Sequence, residues 1–299
     1  MSSVSSVASV SSAASVAMTT TVYFNGAFLP KDEVRISPDD RGFVFADGVY
    51  EVARAYGGRF FELDAHLHRL ANGLAALEIV GADAHALGAV FTKLLARNGL
   101  GSADATVYAQ VTRGAAPRTH WFPTTPVPPT VYAEPKPFAA RGDPKVGAAI
   151  ITVPDIRWSR CDIKAVALLP NCLANQRARA AGALEAVFVR DGVAIEATSS
   201  SFFAVVDGEV RTAPASNYIL PSISRAVVLR LCNEAGLPHR ETPVFVEDLP
   251  RATELFLAST TLEVMPIVQV DGRAVRDGVP GPVATRLHGM FRAVATRPR

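Results

Sequence analysis

Lys164 lies in CDIKAVALLP (residues 161–170), an ammonium group followed directly by a run of apolar side chains. Such a lysine is either a solvated edge residue or one whose pKa is lowered by burial, suited to Schiff-base or general-base work. Two hydroxyl-rich turns lie downstream, Ser222-Ile223-Ser224 before a helix and Ser259-Thr260-Thr261 after a strand. Free N–H groups at a helix start, with hydroxyls beside them, can cradle a phosphate; the same serines can equally do no more than cap the helix. Glu196, in AIEATSSSFF, ends an apolar strand, where a carboxylate is solvated or, if buried, needs a cationic partner. In PRTHWFP, Arg118 and His120 are two residues apart, so extended chain projects both to one side as a fork for a carboxylate. An exposed basic loop has the same pattern. Arg69, in HLHRL on a helix, is expected to face solvent.

Short strands and a few helices must position these groups. Asn25-Gly26 in VYFNGAFLP is a hairpin signature, and the β-like runs with turn signals continue to about residue 60. After Asp47-Gly48 the alternation places Tyr50 and Val52 on one strand face. A helix starts near Asp64 as N-cap, with Leu67, Leu70, Leu74 and Leu77 in one stripe, and a second covers about 84–97. ATVYAQVTRG (105–114) reads as a strand. From Pro117 to Pro144 the chain is dense in proline, and the part after Tyr132 reads as an interdomain linker at 134–143. The second half opens with a strand near 145–153, and then a helix with Pro170 in its first turn and Gly182 at its end. Strands broken at Asp191-Gly192 and Asp207-Gly208 follow, then a helix closed by Gly236, then a strand pair around Ser259-Thr260-Thr261. Strand-rich halves with a few helices make an α+β chain of two domains.

Composition removes other classes of function. The 299 residues are 49% hydrophobic and 19% charged, with net charge +2, so a nucleic-acid or polybasic membrane partner has no footing. No apolar run approaches a membrane span. Cys161, Cys172 and Cys232 are an odd count with no CxxC pair and no histidine cluster beside them, which argues against disulfides and against a metal site; they read as buried thiols in a reducing cytoplasm. Residues 1–18 are low-complexity Ser/Val/Ala without the basic n-region of a secretory signal, and read as a disordered extension, with Met18 the expected native start.

In order along the chain, DRGFVFADGVYE, LDAHLHRL, VTRGAAPRTHWFP, IRWSRCDIKAVALLPN, IEATSSSFF, ILPSISR and FLASTTLEVMPIV resemble the class IV (fold type IV) pyridoxal-phosphate aminotransferases. The likeness runs from about residue 22 to 292 and is strongest to the D-amino-acid (D-alanine) group. It implies a smaller N-terminal α/β domain (19–133) and a larger, β-barrel-like C-terminal domain (144–293) that binds pyridoxal 5'-phosphate. Lys164 matches the lysine that forms the Schiff base with the cofactor, and Glu196 the carboxylate on its pyridine nitrogen. Arg69, Ile223, Ser224 and Thr260 match the phosphate contacts, and Leu220 a residue packed near the ring. Tyr50, Arg118 and His120 match the trap for a substrate α-carboxylate, Arg118 and His120 reaching in from the neighbouring subunit of a homodimer. The implied reaction moves the amino group of a D-amino acid to a 2-oxo acid in ping-pong fashion. Aminodeoxychorismate lyase, branched-chain aminotransferase and (R)-amine transaminase are alternatives on the same fold, and a non-catalytic binding protein is one from another class. Four positions depart from the family pattern: Ala167, Ala197, Ser201 and Ser222, the last where a glycine is common and positive φ is expected to be costly.

Overall fold

A computed structural model of the protein describes residues 19–297; the N-terminal extension lies outside that range. The chain builds two sheets in succession. The first has strands β1 (Thr21–Phe24), β2 (Ala27–Pro30), β3 (Gly48–Tyr56), β4 (Arg59–Phe60), β5 (Ala105–Thr112) and β6 (Thr130–Pro137), in the order β2-β1-β6-β5-β3-β4. Asn25 and Gly26 make the β1–β2 turn with φ of 45° and 94°, the left-handed pair that a two-residue hairpin demands. Helices α1 (Arg41–Phe45), α2 (Leu63–Ala76) and α3 (Leu87–Arg97) accompany this sheet. Leu67, Leu70, Leu74, Phe91 and Leu94 of α2 and α3 pack on Val49, Ala53, Val107, Ala109 and Val111, alternate residues of β3 and β5. The intervening residues, Tyr50 and Val52 among them, occupy the other face.

Three local expectations change. Arg41–Phe45 is a helical turn, because the Asp40 carboxylate caps it by accepting from the Gly42 N–H at 2.8 Å. Helix α2 begins at Leu63, with Asp64 in its first turn instead of at the cap. Strand β6 runs to Pro137, so residues 134–137 are sheet and not linker. Its neighbour β1 pairs only with Tyr132 and Ala133, which leaves Pro135 and Pro137 on an open edge where a missing N–H costs nothing.

The second sheet contains β7 (Ala148–Pro154), β8 (Glu185–Arg190), β9 (Val193–Ala197), β10 (Ser201–Val206), β11 (Glu209–Thr212), β12 (His239–Glu241), β13 (Val244–Phe245), β14 (Glu254–Ser259), β15 (Glu263–Val270) and β16 (Arg273–Ala274). The run β10-β14-β15-β7-β8-β9 returns to its start through a β9–β10 pairing at Glu196 and Ser201, closing a six-stranded barrel. Period-2 alternation fills it: Phe202, Ala204 and Val206 meet Ile150, Val187, Leu255 and Leu257. Phe203 and Phe256 face the other way, toward α5 (Ile223–Glu234) and α6 (Pro282–Thr296). Helix α4 (Leu169–Ala180) packs Ala174 and Ala178 near Phe188 and Ile195. No helix among the described residues is long and apolar enough to cross a membrane.

Candidate active site

Strand β4 covers only Ala55 and Tyr56 of β3, which leaves the start of β3 with an open edge. Residues 164–166 take that edge. The Tyr50 N–H donates to the Lys164 carbonyl at 2.9 Å, the Val166 N–H donates to the Gly48 carbonyl at 3.0 Å, and Val49 bridges Ala165. Main-chain bonds thereby fix Lys164 beside Tyr50, and the ammonium lies 4.2 Å from the centre of the Tyr50 ring. Lys164 is half-buried. The apolar run after it does not enclose it, since Ala167 is exposed and Leu169 is 70% exposed.

Glu196 sits at the barrel seam, buried, in the same cleft as Lys164, Tyr50 and Leu220. Its cationic partner is Arg157, whose Nη1 donates to Oε1, while the Leu220 N–H donates to Oε2 at 3.1 Å. Arg157 is itself held by Asp155 at 2.9 Å and by the Tyr218 carbonyl at 3.1 Å, over the Phe188 ring. Burial pushes the Glu196 carboxyl above its ordinary range, against the opposing pull of Arg157, Leu220 and Lys164. Sequence reasoning misses Arg157 although IRWSRCDIK contains it. The need of a buried Glu196 for a cation is the available signal, but Arg160 competes for the role, and Arg160 is instead tied to Asp162 near the surface. Glu185 leaves no signal at all. Completely buried at one end of β8, it accepts from the hydroxyls of Ser199 at 2.5 Å, Ser200 at 2.8 Å and Thr198 at 3.3 Å, fixing the hydroxyl row that lines the cleft.

Arg69 does not face solvent. Its Nε and Nη2 grip the two oxygens of Glu51 at 2.9 and 2.7 Å, and Nη1 reaches the Pro221 carbonyl at 3.1 Å. That brings it to the start of α5, where the Ser222 hydroxyl accepts from the Arg225 N–H at 3.2 Å as a true N-cap. Ser222 has φ −74°, so this position makes no demand for glycine. Ile223, Ser224 and Thr260 line one small cavity with His66 and Arg54, which joins the two hydroxyl turns in space. The ionised Glu51 carboxylate only accepts, so the His66 Nδ1–H donates to it at 3.0 Å. Sequence reasoning misses Glu51 and His66 as well; a carboxylate next to Tyr50 in the strand gives no periodic cue.

Arg118 and His120 are brought together but stand outside this cleft. Both are exposed, and both lie against the Phe45 ring, at 5.2 and 5.8 Å.

Residues 48–270 match the family model described as amino-transferase class IV. The chain belongs to the class IV aminotransferases. It is 38% identical over 277 residues to the D-alanine aminotransferase of Staphylococcus epidermidis, covering 91% of this chain and 96% of that one. To the D-alanine aminotransferase of Bacillus licheniformis it is 40% identical over 266 residues, covering 88% and 92%. Among solved structures, the T.th. branched-chain amino acid aminotransferase with pyridoxamine 5'-phosphate superposes with TM-score 0.84 at 26% identity, covering 94% and 96%.

The donor set of this class IV aminotransferase fits the family's cofactor, pyridoxal 5'-phosphate. A primary amine stands in the cleft for an aldehyde carbon. Glu196, buried and pushed upward, gains from a cation such as a protonated ring nitrogen. The start of α5, with Ser224, Thr260 and the Arg69 guanidinium beside it, suits a phosphate. No cluster of three or more histidine, cysteine or acidic side chains among the described residues could hold a metal ion.

Proposed function

We propose that this aminotransferase moves the amino group of a D-amino acid resembling D-alanine to a 2-oxo acid such as pyruvate or 2-oxoglutarate. The observation that carries the reading is the presence of Lys164, Glu196 and Tyr50 in one cleft with a phosphate-suited helix start at its edge. Bound pyridoxal phosphate supplies the electron sink for the pair left when the substrate Cα loses its proton. Lys164 Nζ holds the cofactor and then carries the proton from Cα, its place fixed by main-chain bonds to β3. Glu196 keeps the ring nitrogen protonated, with Arg157 and Leu220 fixing its two oxygens. Leu220 packs near the ring, and Arg69, Ile223, Ser224 and Thr260 hold the phosphate.

Tyr50, Arg118 and His120 take the substrate α-carboxylate, and in a homodimer the exposed Arg118–His120 loop serves the partner's cleft. The two named relatives, both D-alanine aminotransferases, support the D-specific reading over the lyase and branched-chain alternatives. Three unpaired thiols suit a reducing cytoplasm. Ala167, Ala197, Ser201 and Ser222 all line the cleft, so the departures from the family pattern fall where they act on substrate range.

The test is the absorption spectrum of the purified holoenzyme, whose visible cofactor band D-alanine should bleach and L-alanine should leave. Equal bleaching by L-alanine overturns the stereochemical reading. Borohydride treatment should fix the cofactor to the peptide bearing Lys164, and Lys164→Ala should abolish turnover; a variant with near-normal rate overturns the assignment of the amine.

A further inference from the structure

The loop carrying Arg118 and His120 is exposed, yet its path is not left to chance. At its base, the Arg41 N–H donates to the Gly114 carbonyl at 2.9 Å, the Ala116 N–H donates to the Asp39 carbonyl at 3.2 Å, and Asp40 bridges Ala115. At its functional end, Arg41 Nη1 donates to the carbonyl of Thr119 at 2.8 Å, the residue between Arg118 and His120. Arg41 is 3% exposed and its Nε is fixed by Asp47 at 2.8 Å. Asp47 is in turn gripped by Arg113 at 2.7 and 3.0 Å, and Arg113 reaches the carbonyls of Leu77 and Glu78 just past α2. The Phe45 ring lies under both fork residues, and the Arg41 guanidinium lies 4.8 Å from its centre.

We infer that Arg41 is a positioning residue for substrate: it holds Thr119, and with Phe45 it aims Arg118 and His120, so that both set the affinity for the α-carboxylate from outside the cleft. The inference rests on reading Arg118 and His120 as the carboxylate fork. Two exposed, rotamer-rich side chains bind a carboxylate tightly only if their backbone is already in place, because otherwise binding must order the loop as well. The task needs arginine specifically. Arg41 donates in two directions, from Nε to Asp47 and from Nη1 to Thr119, and a lysine ammonium on one stem cannot span both. Lysine can still neutralise Asp47, which separates loop positioning from simple charge balance.

Steady-state kinetics on holoenzymes carrying Arg41→Lys, Phe45→Leu and Arg118→Ala test this. Arg41→Lys should raise KM for D-alanine and for pyruvate about tenfold, the worth of a hydrogen bond between a charged group and a carbonyl. Its kcat and its cofactor dissociation constant, followed by fluorescence titration, should stay near the native values. Phe45→Leu, which leaves the Arg41–Asp47 pair intact, should shift KM the same way and decides the matter if Arg41→Lys does not fold. If Arg118→Ala raises KM while both other variants leave it unchanged, or lower only kcat and cofactor affinity, the inference is wrong. If Arg118→Ala itself leaves KM unchanged, the carboxylate-fork reading falls and takes the inference with it.

Discussion

Two buried glutamates meet opposite electrostatic fates. Burial raises the pKa of each, but Glu51 has both oxygens gripped by Arg69 and a further partner in His66, and these bring its carboxyl well below the ordinary range. Glu196 shares Arg157 with Asp155, and burial wins. The low pKa of Glu51 is a statement about stability. A depressed carboxyl contributes stability that is complete above the unfolded-state value of about 4.3 and is lost as pH falls through the lower native value. Glu51→Gln should therefore cost about 3 kcal/mol at pH 7 by leaving Arg69 unpaired. Denaturant titrations should show a constant difference from the native protein between roughly pH 5 and 8, narrowing below about pH 4 as the unfolded-state carboxyl takes up a proton and the native one does not. A difference independent of pH down to acid unfolding would mean that Glu51 acts by packing alone. The cysteines offer a second check. Burial pushes Cys161 and Cys232 up to about 11, whereas Cys172 is exposed, contrary to its expected burial. At pH 8 a thiol reagent should titrate one equivalent quickly, mapping to Cys172, with the other two released only by denaturant. Lys164, Glu196 and Arg69 are legible in the sequence because each lies in a recognisable block. Arg157, Glu51 and Glu185 are not, because a partner is chosen by folding in space, and sequence spacing carries no record of it.

At the scale of elements, periodicity and turn chemistry locate most strands and helices, and they fail where a side chain or an edge decides the outcome. Asp40 turns a strand-like run into α1, and the open edge beside β1 lets β6 continue through two prolines. Main-chain pairing of residues 164–166 with β3 is invisible for the same reason, since its partner lies more than a hundred residues away in sequence. Gly114 shows how much one backbone position can hold. Its φ is +96°, and a Cβ there would overlap the Pro128 carbonyl oxygen, a backbone atom that cannot swing aside. Gly114→Ala should lower stability by more than about 1 kcal/mol, from positive-φ strain before any clash is counted. Because the Gly114 carbonyl also anchors Arg41, the variant should raise KM for D-alanine while leaving cofactor affinity near native. A stable Gly114→Ala protein with native KM would show that the loop base can relax without disturbing the fork.

The molecule as a whole divides one site between two sheets, with Lys164 docked on the edge of the first and Glu196 at the seam of the second. The proposed site for substrate and cofactor therefore lies where the two sheets meet, a place that neither sheet's own pattern announces. The division goes further if the Arg118–His120 loop serves a partner, because then each complete site draws Lys164 from one chain and the fork from the other. Exposed Phe43 and Trp121, at 78% and 69%, flank the fork residues and the helical turn beneath them, and suit a surface that meets a second copy. Fold likeness to a branched-chain enzyme does not decide this, since the lysine and carboxylate machinery can be shared while the carboxylate fork differs. Mixing an inactive variant with one impaired at low D-alanine does decide it. Lys164→Ala homodimers lack the amine in both sites, and Arg118→Ala homodimers lack the fork in both. In a two-fold dimer, a mixed pair has one site with both residues native and one with neither. After denaturation and refolding together in equal amounts with cofactor, half of the dimers are mixed, and activity at low D-alanine should recover to about a quarter of native. If the fork instead served its own chain, the mixed dimer would hold one site of each defective kind and no activity would return. Size measurement of each variant alone, giving dimers in both cases, ensures that failure to complement means a fork acting within one chain and not a failure to pair.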